Sequence, residues 1–130
     1  MHLYIAYIII LMHIWHWIFD YIFQDKTWGE GKWNNPVLLL KHTSIYSFSW
    51  FIFWLSLGYG VIFSLMFFLV TFVFHTITDY FTSKWTHDLF EIKHYGTHIP
   101  NTGVFTVLGL DQLLHQIQLI LTYDLLEKLL

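Results

Sequence analysis

Long apolar stretches dominate the chain and alternate with two polar connectors. Residues 1–19 contain no Asp, Glu, Lys or Arg, and the same holds for residues 42–78. A bilayer core about 30 Å thick is crossed by about 20 apolar helical residues. The second stretch is therefore long enough for two spans, and the pattern predicts a small polytopic membrane protein.

Turn and capping signals set the bounds of four predicted spans. Pro36 suits the first turn of a helix, where its missing N–H has no partner in any case. Gly58-Tyr59-Gly60 is a turn signal between two apolar segments, and Gly103 precedes the last one. We predict an all-α, up-down-up-down membrane bundle of four transmembrane helices, with residues 1–130 as a single domain. The spans are about 3–23, 37–57, 61–81 and 104–121, and an amphipathic tail, 122–130, follows them.

The lysines predict the orientation of the spans. Every lysine except Lys128 lies towards the connector end of the predicted bundle. The positive-inside rule then places the connectors in the cytoplasm and both termini outside. We expect a multi-pass protein of the cell (inner) membrane. Residues 1–23 are expected to be a retained span, because they lack the basic region and the cleavage site of a signal peptide.

The composition excludes several classes of function. Hydrophobic residues make up 56% of the chain and charged residues 12%, whereas ordinary soluble domains are about 25% charged. The absence of cysteine excludes disulfides, thiolate catalysis and Cys-based zinc sites. A net charge of -3 without arginine gives no footprint for nucleic acid. The expected partners are the lipid bilayer, a lipid-like substrate, and a second copy or another membrane protein.

Ionisable side chains inside the predicted spans are the candidate functional residues, because they are costly in a bilayer. A histidine and an aspartate four residues apart occur in the first, third and fourth spans, and one more histidine lies near the start of the second. Residues at this spacing share one face of a helix. The seven candidate metal ligands are His16, Asp20, His42, His75, Asp79, Asp111 and His115.

The alternating directions of the spans bring most of these residues to one depth. At 1.5 Å per residue, most fall within roughly 4–12 Å of the connector face, and helix bundles build metal sites from inward pairs of this kind. Imidazole and carboxylate ligands favour Zn²⁺, Mn²⁺ or Fe²⁺. One ion with carboxylates that orient the imidazoles, or a two-metal site, fits the number of ligands. The competing interpretation is a layer of hydrogen-bonded pairs without metal.

Other polar residues are weaker candidates. Gln24 and Gln112 lie next to these pairs and are predicted either to hydrogen-bond ligands or substrate, or to cap a buried carbonyl. His13 is predicted to pack beside the pairs. The histidines of the second connector are irregularly spaced, so we favour them less as ligands; they are His87, His94 and His98.

Four motifs occur in order along the chain: His16-Trp-Ile-Phe-Asp20-Tyr-Ile-Phe-Gln24, Leu40-Lys-His42, Phe74-His75-Thr-Ile-Thr-Asp79-Tyr80 and Leu110-Asp111-Gln112-Leu-Leu-His115. From about Met12 to about Leu121, the chain resembles domain-of-unknown-function family 3307, which comprises small bacterial and phage membrane proteins. That family has no established function, so the resemblance supports the site residues more than a reaction. The chain is more distantly similar to predicted membrane-bound metal-dependent hydrolases, although it lacks their His-Arg and Thr-His-Ser elements.

Three hypotheses of different classes follow. The first is a metal-dependent hydrolase of a lipid-linked phosphate or ester, in which three histidines are ligands and a carboxylate is a further ligand, an orienter or a general base. The histidines are His16, His75 and His115, and the carboxylate is that of Asp20, Asp79 or Asp111. Lys41, at the mouth of the bundle, would contact a substrate phosphate. The second is a divalent metal or proton transporter, since His-x-x-x-Asp pairs are similar to the intramembrane zinc sites of cation diffusion facilitators. The third is a non-enzymatic membrane subunit or phage membrane factor, in which a metal or polar layer only holds the helices together.

Overall fold

The computed structural model describes residues 2–98 and 101–130, and helices make up most of it. Helix α1 runs continuously into a π-helical turn, and a short antiparallel pair of strands joins the last two helices. The elements are α1 (His2–Trp17), the π-helical turn (Ile18–Ile22), α2 (Lys26–Gly31), α3 (Pro36–Ser56), α4 (Val61–Glu91), β1 (Thr97–His98), β2 (Asn101–Thr102) and α5 (Val104–Leu129). The predicted all-α class is confirmed.

The start of α3 agrees with the prediction from Pro36. Asn35 caps the helix, because its side-chain oxygen accepts hydrogen bonds from the amides of Val37 and Leu38 at 3.0 and 3.3 Å. At the other end, Gly58 has φ +86°, a conformation that glycine adopts without steric cost. This turn reverses the chain and makes α3 and α4 an antiparallel pair.

Within the described residues, three helical segments are long and apolar enough to cross a membrane: Leu3–Ile22, Val61–Glu91 and Val104–Leu129. Two of them extend well beyond the predicted spans. Helix α4 continues through the polar residues after Phe81, and α5 continues through the predicted tail. Neither extension contains glycine or proline, so nothing in the local sequence ends the helix where the apolar pattern stops.

The packed helices have an apolar exterior and an interior of two halves. One half is aromatic: Trp50, Trp54 and Phe67 are fully buried, and Tyr123 stacks on Trp54 with ring centroids 5.2 Å apart. The other half, towards the connectors, contains buried histidines and aspartates. Large apolar side chains that point outwards include Ile10, Ile14, Leu69, Val73, Ile77, Leu113, Ile117 and Leu121. This distribution suits a protein that is surrounded by lipid.

Candidate metal centre

The structure brings the seven predicted ligands together in the interior. None of them is more than 8% exposed. They come from the end of α1, from α3, from α4 and from α5, so every long helix contributes at least one. Asp20 is the one buried residue of the π-helical turn. Such turns shift the backbone hydrogen bonds by one residue and are frequent at functional sites.

The Nε2 atoms of His42 and His75 lie close to each other and to one carboxylate oxygen each of Asp20 and Asp79. His42 Nε2 lies 3.2 Å from His75 Nε2, 3.2 Å from Asp20 Oδ1 and 3.3 Å from Asp79 Oδ2. His75 Nε2 lies 3.5 and 3.6 Å from the same two carboxylate oxygens. Ligands around a tetrahedral ion with bonds of about 2.0–2.1 Å lie roughly 3.3 Å apart. The distances from the two histidines are therefore close to the ligand spacing of a small divalent ion, and Asp20, His42 and His75 present ligand atoms that all lie within 4.8 Å of one another.

Hydrogen bonds do not fully account for this arrangement. The buried Asp20 Oδ1 has no partner with hydrogen-bond geometry among the described residues, although His42 Nε2 is 3.2 Å away. The two Nε2 atoms of His42 and His75 face each other, and only one of them can donate to the other. A buried polar atom without a partner is costly, and a cation between these atoms would satisfy all of them.

A second group of possible metal-ligand atoms adjoins the first. His115 Nε2 lies 3.1 Å from Asp79 Oδ1 and 3.4 Å from Asp111 Oδ1. Asp111 is held by Thr82, whose hydroxyl donates to Oδ1 at 2.5 Å. Three triads each present donor atoms within 4.8 Å of one another: Asp20/His42/His75, His75/Asp79/His115 and Asp20/Asp111/His115.

Gln112 links His16 to the carboxylates. Its side-chain oxygen accepts from His16 Nε2 at 2.7 Å, and its amide nitrogen donates to Asp20 Oδ2 at 3.2 Å and Asp111 Oδ2 at 3.0 Å. The hydroxyl of Tyr46 lies 2.7 Å from His16 Nδ1. Both ring nitrogens of His16 are therefore occupied by hydrogen bonds. His16 is part of the cluster, but in this arrangement it positions Gln112.

Lys32 is a site residue that the sequence analysis did not single out. Its ammonium lies 2.6 Å from Asp79 Oδ2 and 3.2 Å from the side-chain oxygen of Gln24. Burial lowers the pKa of Lys32, but the carboxylates of Asp79 and Asp20 outweigh that effect and raise the pKa above its ordinary value. Lys32 therefore carries a positive charge into the cluster at neutral pH.

Lys41, the predicted phosphate contact, lies elsewhere at the connector end. Its side chain is exposed, and the ammonium is 5.0 Å from the centre of the Trp28 ring, the distance of a cation–π contact.

Tyr46 was also missed, although a signal for it existed. It follows His42 by four residues and therefore shares its helix face. Its ring stacks on that of His75, with centroids 3.9 Å apart. Tyr46 thus fixes His75 by stacking and His16 by a hydrogen bond.

A polar cavity adjoins the cluster on the connector side. Its volume is about 150 Å³, which gives room for several water molecules. The carboxylates of Asp20 and Asp111 line it, together with Gln112, Thr82 and Lys32. A group that enters this cavity reaches the edge of the donor cluster directly.

The other histidines have different surroundings. His13 Nδ1 lies 2.7 Å from the carbonyl oxygen of Ile9, and the ring of His87 stacks on Trp33 with centroids 3.6 Å apart. The backbone carbonyl of His94 accepts from the amide of Val104 at 2.9 Å. The side chain of His98 lies outside the described residues.

Comparison of the chain with known protein families, curated proteins and solved structures gives no match.

Proposed function

We propose that this protein is an integral membrane hydrolase that uses a bound divalent metal to cleave a lipid-linked phosphate or ester. The observation that carries the proposal is the buried triad of Asp20, His42 and His75, whose ligand atoms lie within 4.8 Å of one another, beside a polar cavity. Structural metal sites are closed by their ligands, whereas catalytic sites keep a position open. A cavity in contact with the donor cluster supports the catalytic alternative.

We also propose that α3 is a fourth membrane span, although its polar residues make it less hydropathic than the other three. One face carries Tyr46 and Trp50 into the interior, while Ile45, Phe48 and Ile52 point outwards. Such an apolar outer stripe suits contact with lipid. With four spans, the lysine distribution favours cytoplasmic connectors and outer termini in the inner membrane. Membership of domain-of-unknown-function family 3307 stays a prediction, on which this proposal does not depend.

The residues of the site would have different roles in the reaction. Asp20, His42 and His75 would hold the ion and leave a fourth position open, with Asp79 beside them, and this ligand set favours Zn²⁺ over ions that prefer octahedral sites. A divalent ion here would lower the pKa of water and polarise a phosphoryl or acyl oxygen. Asp111, on the cavity wall, would accept a proton from the attacking water. Because the chain contains no arginine, Lys32 would supply the positive charge that stabilises an anionic oxygen of the substrate.

Transport is less well supported, because the aromatic half of the interior lies beyond the cluster. Trp50, Trp54 and Phe67 are fully buried there, and their rings pack in stacked and tilted pairs with centroids 5.0 to 6.5 Å apart. An ion that crossed the bundle would have to pass this packed aromatic layer. A site that is reached from the connector side suits hydrolysis at one leaflet.

The test is metal content and turnover of the detergent-purified full chain, prepared without chelators. Wild type is expected to contain zinc and to cleave at least one member of a panel of lipid phosphates and lipid esters. His75→Ala should lose both the metal and the turnover. His87→Ala is the matched control, because it removes a histidine outside the cluster. Wild type that is metal-free and inactive on the whole panel would overturn the proposal.

A further inference from the structure

The two oxygens of Asp20 and of Asp79 face different groups of donors. Asp79 directs Oδ2 towards His42 and His75, and Oδ1 towards His115. Asp20 directs Oδ1 towards His42 and His75, whereas its Oδ2 accepts from Gln112. Each carboxylate therefore lies between the pair His42 and His75 and the group around His115.

From this geometry we propose that the cluster holds two divalent metal ions, bridged by the carboxylates of Asp20 and Asp79. The inference rests on the proposed function and deepens it. The first ion lies between His42, His75, Asp20 Oδ1 and Asp79 Oδ2. The second lies on the other side of the two carboxylates, next to the cavity.

The donors of the second ion are already arranged. His115 Nε2 is 3.1 Å from Asp79 Oδ1 and 3.4 Å from Asp111 Oδ1, again close to the ligand spacing of a small divalent ion. Asp20, Asp111 and His115 present donor atoms within 4.8 Å of one another. Metal ions that share carboxylates lie about 3.5–4 Å apart, a separation that one carboxylate group can span.

The net charge of the site indicates which kind of substrate group would bind next to the second ion. The carboxylates of Asp20, Asp79 and Asp111 with the ammonium of Lys32 sum to two negative charges, which one divalent ion neutralises. A second ion leaves excess positive charge beside the cavity. This charge favours an anionic phosphoryl group over a neutral ester as the part of the substrate that enters.

The first experiment is the stoichiometry of bound metal. Wild type should bind about two ions per chain, and His115→Ala should bind one, while His87→Ala should retain two. Asp111→Asn, which keeps the size of the side chain, is the second variant in case His115→Ala fails to fold. One ion in wild type, His115→Ala and Asp111→Asn alike would overturn the two-ion site and leave the proposed hydrolase intact. A metal-free wild type would overturn both.

Two further measurements need no disruptive variant. Wild type loaded with Mn²⁺ should give the electron paramagnetic resonance spectrum of an exchange-coupled pair, and a spectrum of isolated ions only would contradict the bridge. Inorganic phosphate, titrated by calorimetry, should bind the two-ion form at least tenfold more tightly than the one-ion form. Equal affinity for both forms would overturn the preference for a phosphoryl group.

Discussion

Lys32 Nζ lies 2.6 Å from Asp79 Oδ2, so a side chain from the first connector enters the bundle and neutralises a carboxylate of α4. Lys32 is 13% exposed and Asp79 1%, and water therefore screens this pair very little. The contact ties the segment after α2 to the centre of the candidate site.

We expect Lys32→Met to destabilise the metal-free protein by about 3–5 kcal/mol, because it leaves a buried carboxylate without its partner. Added Zn²⁺ should remove much of this difference, since the ion replaces the lost positive charge. Thermal unfolding in detergent, with and without metal, measures both effects. Lys26→Met is the control, because the Lys26–Glu30 pair is exposed and contributes little. An equal loss in the two variants would contradict the buried pair.

Asp25 is expected to position Lys32 through the short helix α2. Its carboxylate accepts from the amide of Thr27 at 2.8 Å and from the hydroxyl of the same residue, which holds its pKa below the ordinary value. The folded pKa is lowered, so this stabilisation is present above the ordinary pKa of 3.8 and is lost as the pH falls through the lowered value. Asp25→Ala should weaken α2 at neutral pH, whereas Asp25→Asn should retain the cap.

Hydrogen exchange of the α2 amides measures this effect. Protection of Trp28 and Gly29, whose amides both donate to the carbonyl of Asp25, should fall in Asp25→Ala and not in Asp25→Asn. The difference between Asp25→Ala and wild type should become smaller in acid, because the protonated carboxyl is a weaker acceptor than the carboxylate. Unchanged protection in Asp25→Ala at neutral pH would show that the tertiary contacts of α2 suffice without the cap.

The sequence predicted the helices and the inward pairs better than it predicted the backbone around them. The spacing of His75 and Asp79 is a local property of a helix, so it could be read without the fold. The π-helical turn at Asp20 could not, because a shift of one residue in the hydrogen bonds has no compositional signature. Helix α4 runs beyond the predicted span 61–81 to Glu91, because the apolar pattern predicts the membrane-spanning part, whereas a helix continues through polar residues until something breaks it.

The role of Lys32 could not be predicted from the sequence for a different reason. Its contact with Asp79 joins residues that are far apart in the sequence and depends on how α2 folds against the bundle. Nothing in the local sequence distinguishes Lys32 from Lys41, which is also near the connector face. The lysine that contacts the cluster is therefore a property of the tertiary structure.

The aromatic half is expected to provide much of the stability of the fold. Trp54 is fully buried, and its ring nitrogen has no hydrogen-bond partner among the described residues. Trp54→Ala should cost about 3–5 kcal/mol because it creates a cavity. Trp54→Phe should cost distinctly less, since it keeps an aromatic ring and removes no hydrogen bond. Chemical unfolding in detergent measures both, with the exposed Trp85→Ala as control. Equal losses in Trp54→Phe and Trp54→Ala would indicate that the indole nitrogen has a partner after all.

Gln112 should control metal affinity without being a ligand in the proposed site. It contacts His16, Asp20 and Asp111 at 2.7 to 3.2 Å, and groups that orient metal ligands typically contribute 10–100-fold to affinity. Gln112→Leu should therefore raise the Kd for Zn²⁺ by about 10–100-fold while the number of bound ions stays the same. Competition with a chelating dye measures the Kd.

Gln118→Leu is the matched control for this change. Gln118 lies on the same helix and donates to Thr71 and Thr122 at 3.3 and 2.9 Å, away from the cluster. It should leave the Kd for Zn²⁺ unchanged even if it lowers the melting temperature. If both variants weaken binding equally, the effect of Gln112 is a general loss of packing in α5. If Gln112→Leu alone weakens binding, the amide positions the carboxylates, because a loss of stability does not by itself change the affinity of the folded protein for its ion.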